Sequence, residues 1–394
     1  MKIAVIGAKG LPPRQGGIEH YCGEVFPRMV AKGHSVDLFA RSSYTNSSWL
    51  ENYDYEGVKV ISLPDVSMRG VDAFVTSALG TLAAVGSKYD IIHFQALGPS
   101  LFTGLSKVTA KSKIVVTCHG LDWQRAKWGN FSTRLIKAGE QTAVRCADSI
   151  IAVSDALKTY FLQTYGKEVV YIPTAPASYA RSDPDFRYGS KLGLEREQYM
   201  LFLGRLVPEK RPDLLLEAFT KLQPQNWKLV LAGGVSNTKS FTSQLLQKVA
   251  DNRNIIFAGE LRGARLAEIV RGAGLFVLPS DVEGLPMAML EAMRERIPIL
   301  ASNIPPHKQL IAGGRGRLFD AGSLESCMQE LSWATENSTD MTAMAENAQQ
   351  YVTANYSWDY ITEETLKLYK TLTGSASEVD IQADEKGLAG VLKD

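Results

Sequence analysis

The chain reads as an α/β protein built from two parallel-sheet units that face each other across a cleft. Three observations predict this. Short apolar runs alternate with longer amphipathic stretches through the first half, a Pro-, Ser- and Ala-rich segment interrupts them, and the alternation then begins again. Apolar runs of this kind, bounded by turn residues and separated by stretches of helical length, suit strands buried on both faces of a doubly wound sheet.

In the first half, Lys2–Ile6, Ser35–Ala40, Val58–Leu63, Asp90–Phe94, Lys113–Thr117, Ser149–Val153 and Val169–Ile172 read as strands, while Ile18–Lys32 and Val71–Lys88 have helical length and composition. Between Pro173 and Pro184, PTAPASYARSDP loses all periodicity and reads as the connection between the units. Beyond it, Tyr199–Leu203, Lys228–Ala232, Asn254–Ala258, Leu275–Leu278, Ile297–Ala301 and Gly316–Phe319 read as strands. Pro212–Leu222, Ser240–Asp251, Ala264–Gly272 and Leu285–Arg294 read as helices. One more amphipathic helix is expected from Trp358 to about Leu372, and the polar tail from Thr373 to Asp394 is expected to be disordered. The implied division is residues 1–178, residues 179–356, a closing helix over 357–372 and a tail over 373–394. A chain of 394 residues can supply a core to each of two such units.

Composition excludes several classes. Hydrophobic residues make up 45% and charged residues 22%, ordinary values for a globular protein. The longest candidate span, Ala73–Ser87, falls short of the ~18–20 apolar residues that cross a bilayer. The first residues, MKIAVIGAKG, have too short an apolar core for a signal peptide and read as a first strand. Cys22, Cys118, Cys146 and Cys327 are scattered, which indicates neither a disulfide framework nor a zinc site and fits a reducing, cytoplasmic location. No nucleic-acid-binding module is recognisable. Charge is uneven: residues 1–180 carry 19 Lys and Arg against 14 Asp and Glu, and Lys107–Arg145 holds eight basic and two acidic residues. That patch is either a footing on an anionic membrane or lipid phosphate, or a solvated mixed surface.

Four stretches carry chemistry. The turn after the first strand, GAKGLPPRQGG (Gly7–Gly17), is neither the GxGxxG dinucleotide fingerprint nor a phosphate loop of the GxxxxGK type. Gly16 and Gly17 leave bare backbone at a helix start, where phosphate or sugar oxygens can approach, unless they form a plain tight turn. GRLVPEK (Gly204–Lys210) leaves the first strand of the second half and sets Arg205 and Lys210 before a helix, either as two surface cations on a loop or in an arrangement suited to a diphosphate. DVEGLPMAMLEAMR (Asp281–Arg294) turns from a strand into a helix, with Pro286 expected in the first helical turn. Glu283 and Glu291 lie about two helical turns apart and can hold two hydroxyl-bearing parts of one elongated ligand, unless Glu283 caps the helix and Glu291 is a solvated surface charge. Last, CHGLD places His119 at a strand's carboxyl end, where open α/β sheets bind ligands.

GRLVPEKRPDLLLEAF followed by PSDVEGLPMAMLEAM resembles the paired signature of retaining group 1, or family 4, glycosyltransferases, with Glu283 and Glu291 as its Glu-x7-Glu element. KGLPPRQGGIE and VTCHGLDWQRAKW resemble a bacterial subgroup with rhamnosyltransferase-like members. The resemblance spans residues 1–370. It implies a GT-B fold, two Rossmann-like domains facing across a cleft, with a closing helix that crosses back to the first. It also implies transfer of a hexosyl or deoxyhexosyl group from a nucleotide sugar to a glycan or lipid-linked glycan, with retention, in polysaccharide or glycoconjugate synthesis.

Residue by residue, the resemblance implies that Arg205 and Lys210 bind the donor diphosphate and that Glu291 holds the ribose. Glu283 contacts the donor sugar, with the amides of Gly284, Leu285 and Met287 around sugar and phosphate, and His119 lies near the reacting centre. Arg14, Glu19, His20, Trp123, Arg125 and Trp128 are acceptor-side candidates, though the tryptophans can equally pack between helices. No metal or other cofactor is expected, because Asp-x-Asp occurs only as Asp183-Pro184-Asp185 in the connection. His93, ending an apolar strand, reads as structural. Two competing readings are a GT-B-fold nucleotide-sugar epimerase and a non-catalytic nucleotide-sugar-binding protein.

Overall fold

A computed structural model describes residues 1–375 apart from 15, 46–50, 65–70, 125–128, 235–238 and 251. The first sheet contains β1 (Lys2–Ile6), β2 (Ser35–Arg41), β3 (Asn52–Tyr55), β4 (Val58–Leu63), β5 (Ile91–Gln95), β6 (Lys113–Cys118), β7 (Ser149–Ala152) and β8 (Val170–Tyr171). Their order is β3-β4-β2-β1-β5-β6-β7-β8. The second contains β9 (Tyr199–Leu203), β10 (Lys228–Ala232), β11 (Ile255–Gly259), β12 (Leu275–Leu278), β13 (Ile299–Ser302) and β14 (Arg317–Phe319), in the order β11-β10-β9-β12-β13-β14. Every pairing is parallel except β3 with β4.

Central strands are buried along their length, as their apolar sequences require: Ile3–Ile6, Ile91–Gln95 and Leu275–Leu278 have essentially no exposure. Each sheet reverses direction of growth once, between β1 and β5 and between β9 and β12. Loops at the carboxyl ends beside such a reversal splay apart and leave a crevice. The four chemical stretches identified in the sequence all follow strands beside or next to these two points.

Strand and helix boundaries differ from the sequence reading by a few residues, with one instructive case. The helix after β12 is Met287–Arg294, and Pro286 stands outside it as the N-cap with ψ 92°, not in the first turn. A residue that precedes proline is pushed out of the α region, so Leu285 cannot be helical and the helix starts two residues later. The antiparallel strand β3 was not expected, because Asn52 and Asp54 are poor strand formers. It forms through a two-residue turn at Glu56-Gly57, whose φ values of 50° and 85° give the twist that hairpins favour. Helices Pro305–Ile311, Leu324–Glu336 and Ser338–Asn355 likewise go beyond the sequence reading.

The connection carries no regular structure but is firmly seated. Pro173, Thr174, Ala175 and Pro176 are buried. The Pro176 carbonyl accepts from Arg294 Nη1 and Trp358 Nε1, both at 3.2 Å, and the Ala180 carbonyl accepts from Arg271 at 2.8 Å. The closing helix is Trp358–Thr373 and lies on the Gly17–Ala31 helix of the first unit. Arg28 pairs with Asp359 at 3.0 Å and Lys32 pairs with Glu363. The expected disordered tail falls, beyond residue 375, outside the described residues.

Candidate active site

On the second sheet, the Gly204–Lys210 loop after β9 and the Ser280–Pro286 loop after β12 flank the β9/β12 reversal and are tied together. The Asp281 amide donates to the Glu209 carbonyl at 2.9 Å. Lys210 runs its stem along Gly204 and donates from Nζ to Glu283 Oε1 at 2.5 Å. Ser280 Oγ donates to the same oxygen at 2.9 Å. Both side chains of the ion pair are largely shielded, with 16% and 13% of their surface exposed. Burial pushes the Glu283 carboxyl upward, but the Lys210 ammonium and the Ser280 hydroxyl outweigh it and hold the group below the usual carboxylate range. Glu283 is therefore an ionised, partnered carboxylate.

Behind this pair the polar groups continue inward. Ser302 Oγ donates to the Ser280 carbonyl at 2.5 Å, and the fully buried His307 sets Nδ1 2.9 Å from the Ser302 carbonyl. Burial lowers the His307 pKa to about 4, so its ring is neutral beside the Lys210–Glu283 pair. Sequence reasoning passed over Ser280, Ser302 and His307; their position at the ends of β12 and β13 was the available signal.

Glu291 lies farther along the Met287–Arg294 helix and takes the Tyr179 hydroxyl at 2.6 Å. Burial is the main influence on it and pushes its pKa up to about 7, against the lowering effect of the Tyr179 hydrogen bond. Leu285 and Gly284 are buried, and Met287 accepts a hydrogen bond on Sδ from Thr174 of the connection at 2.9 Å. Arg205 is partly exposed on the loop that leads to Lys210.

On the first sheet, the turn after β1 leads into the Gly17–Ala31 helix. Gly16, with φ 105°, and the exposed Gly17 form its start. Glu19, an acceptor-side candidate, is instead folded back into this turn: it is buried, accepts from the Lys9 amide at 3.1 Å and lies where a Gly16 side chain would be. His20 is half-buried, and burial lowers its pKa despite Glu24 and Glu19 nearby. Arg14 is exposed on the turn. Trp123 donates from Nε1 to the buried Glu140 at 2.9 Å, with Lys137 4.4 Å above its ring, so the indole is packed against the Asn130–Cys146 helix. Arg125 and Trp128 lie outside the described residues.

His119 follows β6. Its ring stands edge-on to Tyr21 at 5.2 Å, and Nε2 lies 2.8 Å from Gln95 Oε1 at the end of β5. The decisive contact is across the cleft. A Cβ on Gly284 would stand 2.0 Å from the His119 carbonyl oxygen and 3.0 Å from Gly120 Cα, so the two loops meet backbone to backbone at a place only glycine permits. A Cβ on Gly17 would likewise reach Met287 at 3.7 Å. The start of the Gly17 helix, His119 and the Glu283–Met287 turn thus converge. His93 is fully buried and hydrogen-bonded inside the first sheet, as a structural residue should be.

Comparison with known proteins agrees with this geometry. Residues 188–351 match the family model of glycosyl transferases group 1, and residues 15–175 match that of glycosyltransferase family 4. The α-maltose-1-phosphate synthase of Mycolicibacterium smegmatis is 26% identical over 79% of this chain and 87% of its own. The D-inositol 3-phosphate glycosyltransferase of Gordonia bronchialis is 25% identical over 93% of this chain and 88% of its own. Among solved structures, the sucrose-phosphate synthase of Thermosynechococcus elongatus superposes with TM-score 0.79 at 19% identity, covering 95% of this chain and 100% of that one. Anabaena HepE in complex with UDP and glucose gives 0.76 at 18% identity, over 94% and 100%. Two parallel-sheet domains on a GT-B frame, with a glycosyltransferase family model matched in each half, support a group 1 glycosyltransferase.

Proposed function

We propose that the protein transfers a hexosyl or deoxyhexosyl group, with retention and without a metal, from a nucleoside diphosphate sugar to a hydroxyl of a glycan or lipid-linked glycan. The observation that carries this reading is the shielded Lys210–Glu283 pair set against the His119–Gly284 contact, because a cation, a carboxylate and a histidine loop meeting at one point of the cleft support it. In the reaction the bond from the anomeric carbon to the phosphate oxygen breaks, and a bond to the acceptor oxygen forms on the same face. The acceptor proton leaves to the departing phosphate. Lys210 and Arg205 stabilise the growing negative charge, a role suited to preorganised cations in a shielded site. Glu283 accepts from sugar hydroxyls, and its engagement with Lys210 and Ser280 makes it a poor nucleophile, which supports direct attack from the front face. Glu291 meets the ribose. Asp185 and Asp183 of the Asp-x-Asp sequence are paired with Arg187 at 2.6 and 3.8 Å, away from this chemistry. HepE's UDP complex supports a nucleotide donor, and KGLPPRQGGIE and VTCHGLDWQRAKW support a rhamnosyltransferase-like subgroup.

The test is a panel of nucleotide sugars. A donor should raise the melting temperature by mass action, and with a glycan acceptor it should release nucleoside diphosphate and leave an anomer of unchanged configuration. Conversion of the donor with no acceptor present would establish an epimerase instead, and binding without turnover a sensor. Acceptor presentation is supported by exposed apolar and basic side chains on the Thr103–Thr109 and Asn130–Cys146 helices of the first domain: Val108 and Phe131 are 87% and 73% exposed, and Lys107, Arg134 and Arg145 are exposed too. Among the described residues no helix is long and apolar enough to cross a membrane. We infer peripheral contact with an anionic bilayer. Phe131→Asp with Arg134→Glu should reduce sedimentation with vesicles containing an anionic lipid by about tenfold, as a few polybasic and apolar contacts at ~1 kcal/mol each predict; unchanged sedimentation removes the contact.

A further inference from the structure

We propose that Gln95 is a positioning residue for His119: it fixes the ring proton on Nε2, and it does so as the cleft end of a buried hydrogen-bonded chain that begins on the closing helix. The inference rests on His119 being the active-site histidine.

The chain joins β5, the end of β6 and the Trp358–Thr373 helix. Gln95 Oε1 stands 2.8 Å from His119 Nε2. An amide oxygen only accepts, so Nε2 carries the proton and Nδ1 the lone pair of the neutral ring. On its other side, the Gln95 amide nitrogen lies 3.3 Å from both ring nitrogens of His93. His93 Nδ1 is 2.5 Å from the Tyr369 hydroxyl, and Nε2 is 2.7 Å from Thr117 Oγ1. His93, Gln95, Thr117 and Tyr369 have no exposed surface.

Burial keeps this chain uncharged. Burial lowers the His93 pKa to about 3, so that ring is neutral with one donor and one acceptor nitrogen. Burial also holds the Tyr369 phenol protonated, well above its ordinary pKa. Each nitrogen of the His93 ring faces a hydroxyl that can donate or accept, Tyr369 at Nδ1 and Thr117 at Nε2, so the ring is partnered in either tautomer. With its oxygen on His119 Nε2 and its nitrogen against the His93 ring, the Gln95 amide leaves His119 a single tautomer. The partner of one imidazole nitrogen decides what the other can do, so the geometry of the reacting face is set from inside the first domain.

The experiment reads ring ¹⁵N shifts of the five histidines together with turnover of the donor identified by the panel; a His119→Ala spectrum assigns the His119 signals. Wild-type His119 should be the Nε2–H tautomer; the Nδ1–H tautomer overturns the proposal. Gln95→Met should mix the tautomers and lower kcat on the order of 10- to 100-fold, the usual cost of losing an orienting bond behind a functional imidazole, while donor KM moves less than about twofold. Gln95→Glu keeps an accepting oxygen and should keep the tautomer and most of the rate. A folded Gln95→Met with wild-type tautomer and kcat overturns the inference; should that variant not fold, loss of the tautomer in Gln95→Glu overturns it equally. Full activity in His119→Ala would sink the reading of His119 itself, while inactivity there beside a normal Gln95→Met would sink only the role of Gln95.

Discussion

The two walls of the cleft solve the same problem with different chemistry. The second domain presents opposite charges, Lys210 and Glu283, each satisfied by the other. The first domain presents His119 backed by neutral groups, Gln95, His93, Thr117 and Tyr369, whose protons are arranged rather than charged. On the reading proposed above, the difference follows a division of work. Charge develops on the departing diphosphate, and fixed cations are strongest where water is displaced. Holding a sugar ring in register calls for direction rather than charge, and a neutral network in a low-dielectric interior supplies it without an uncompensated ion.

The sharpest way to break this comparison is at the charged wall. Lys210→Ala should lower turnover on the order of 10²- to 10³-fold, as loss of one preorganised charge-stabilising group does; a folded variant with near-normal release of nucleoside diphosphate removes Lys210 from leaving-group stabilisation. At the seam between the walls, Gly284→Ala sets a Cβ 2.0 Å from the His119 carbonyl oxygen. Forcing the loops apart should cost about 1–3 kcal/mol, hence roughly tenfold or more in turnover. Wild-type kinetics for that variant would mean the contact does not hold the two sides in register.

Glu291 offers a subtler test through stability. Its pKa rises on folding from an ordinary carboxylate value to about 7. The folded protein therefore holds more protons than the unfolded chain between those values, and this contribution to stability, complete at low pH, is lost as pH rises through 7. Glu291→Gln should thus melt higher than wild type at pH 8, with the gap closing toward pH 5, and donor KM should rise on the order of 10- to 100-fold if the ribose reading holds, as loss of one charged hydrogen bond of about 1.5–3 kcal/mol implies. A pH-independent gap would remove the buried carboxyl as its cause. The smallest expected effect is none: turnover measured with and without a strong chelator should agree within error. Loss that Mg²⁺ or Mn²⁺ restores would transfer the work of Lys210 and Arg205 to a metal.

The contrast also explains what was legible in the sequence. Strands buried on both faces write themselves as apolar runs, so both sheets could be read, whereas β3 hides behind Asn52 and Asp54 and is held by its turn. GRLVPEK and DVEGLPMAMLEAMR were visible as separate charged motifs. Their union in one ion pair was not, because 73 residues of sequence separate Lys210 from Glu283. The neutral wall was nearly invisible. Gln95 and His93 sit in IIHFQ like any strand residues, and their partner Tyr369 lies 276 residues beyond His93. Glu19 and Trp123 show what sequence leaves open: polar and aromatic groups beside a site are also engaged by their own loop or helix.

The seating of the interdomain connection has a thermodynamic consequence. With the Pro176 carbonyl held from both Arg294 and Trp358, and the Ala180 carbonyl from Arg271, the connection is ordered against the second half and the closing helix instead of hanging as a loose tether. The loss of freedom that a loosely linked pair of domains would suffer on closing around a ligand is here incurred when the chain folds, and more of the ligand's contact energy remains as affinity.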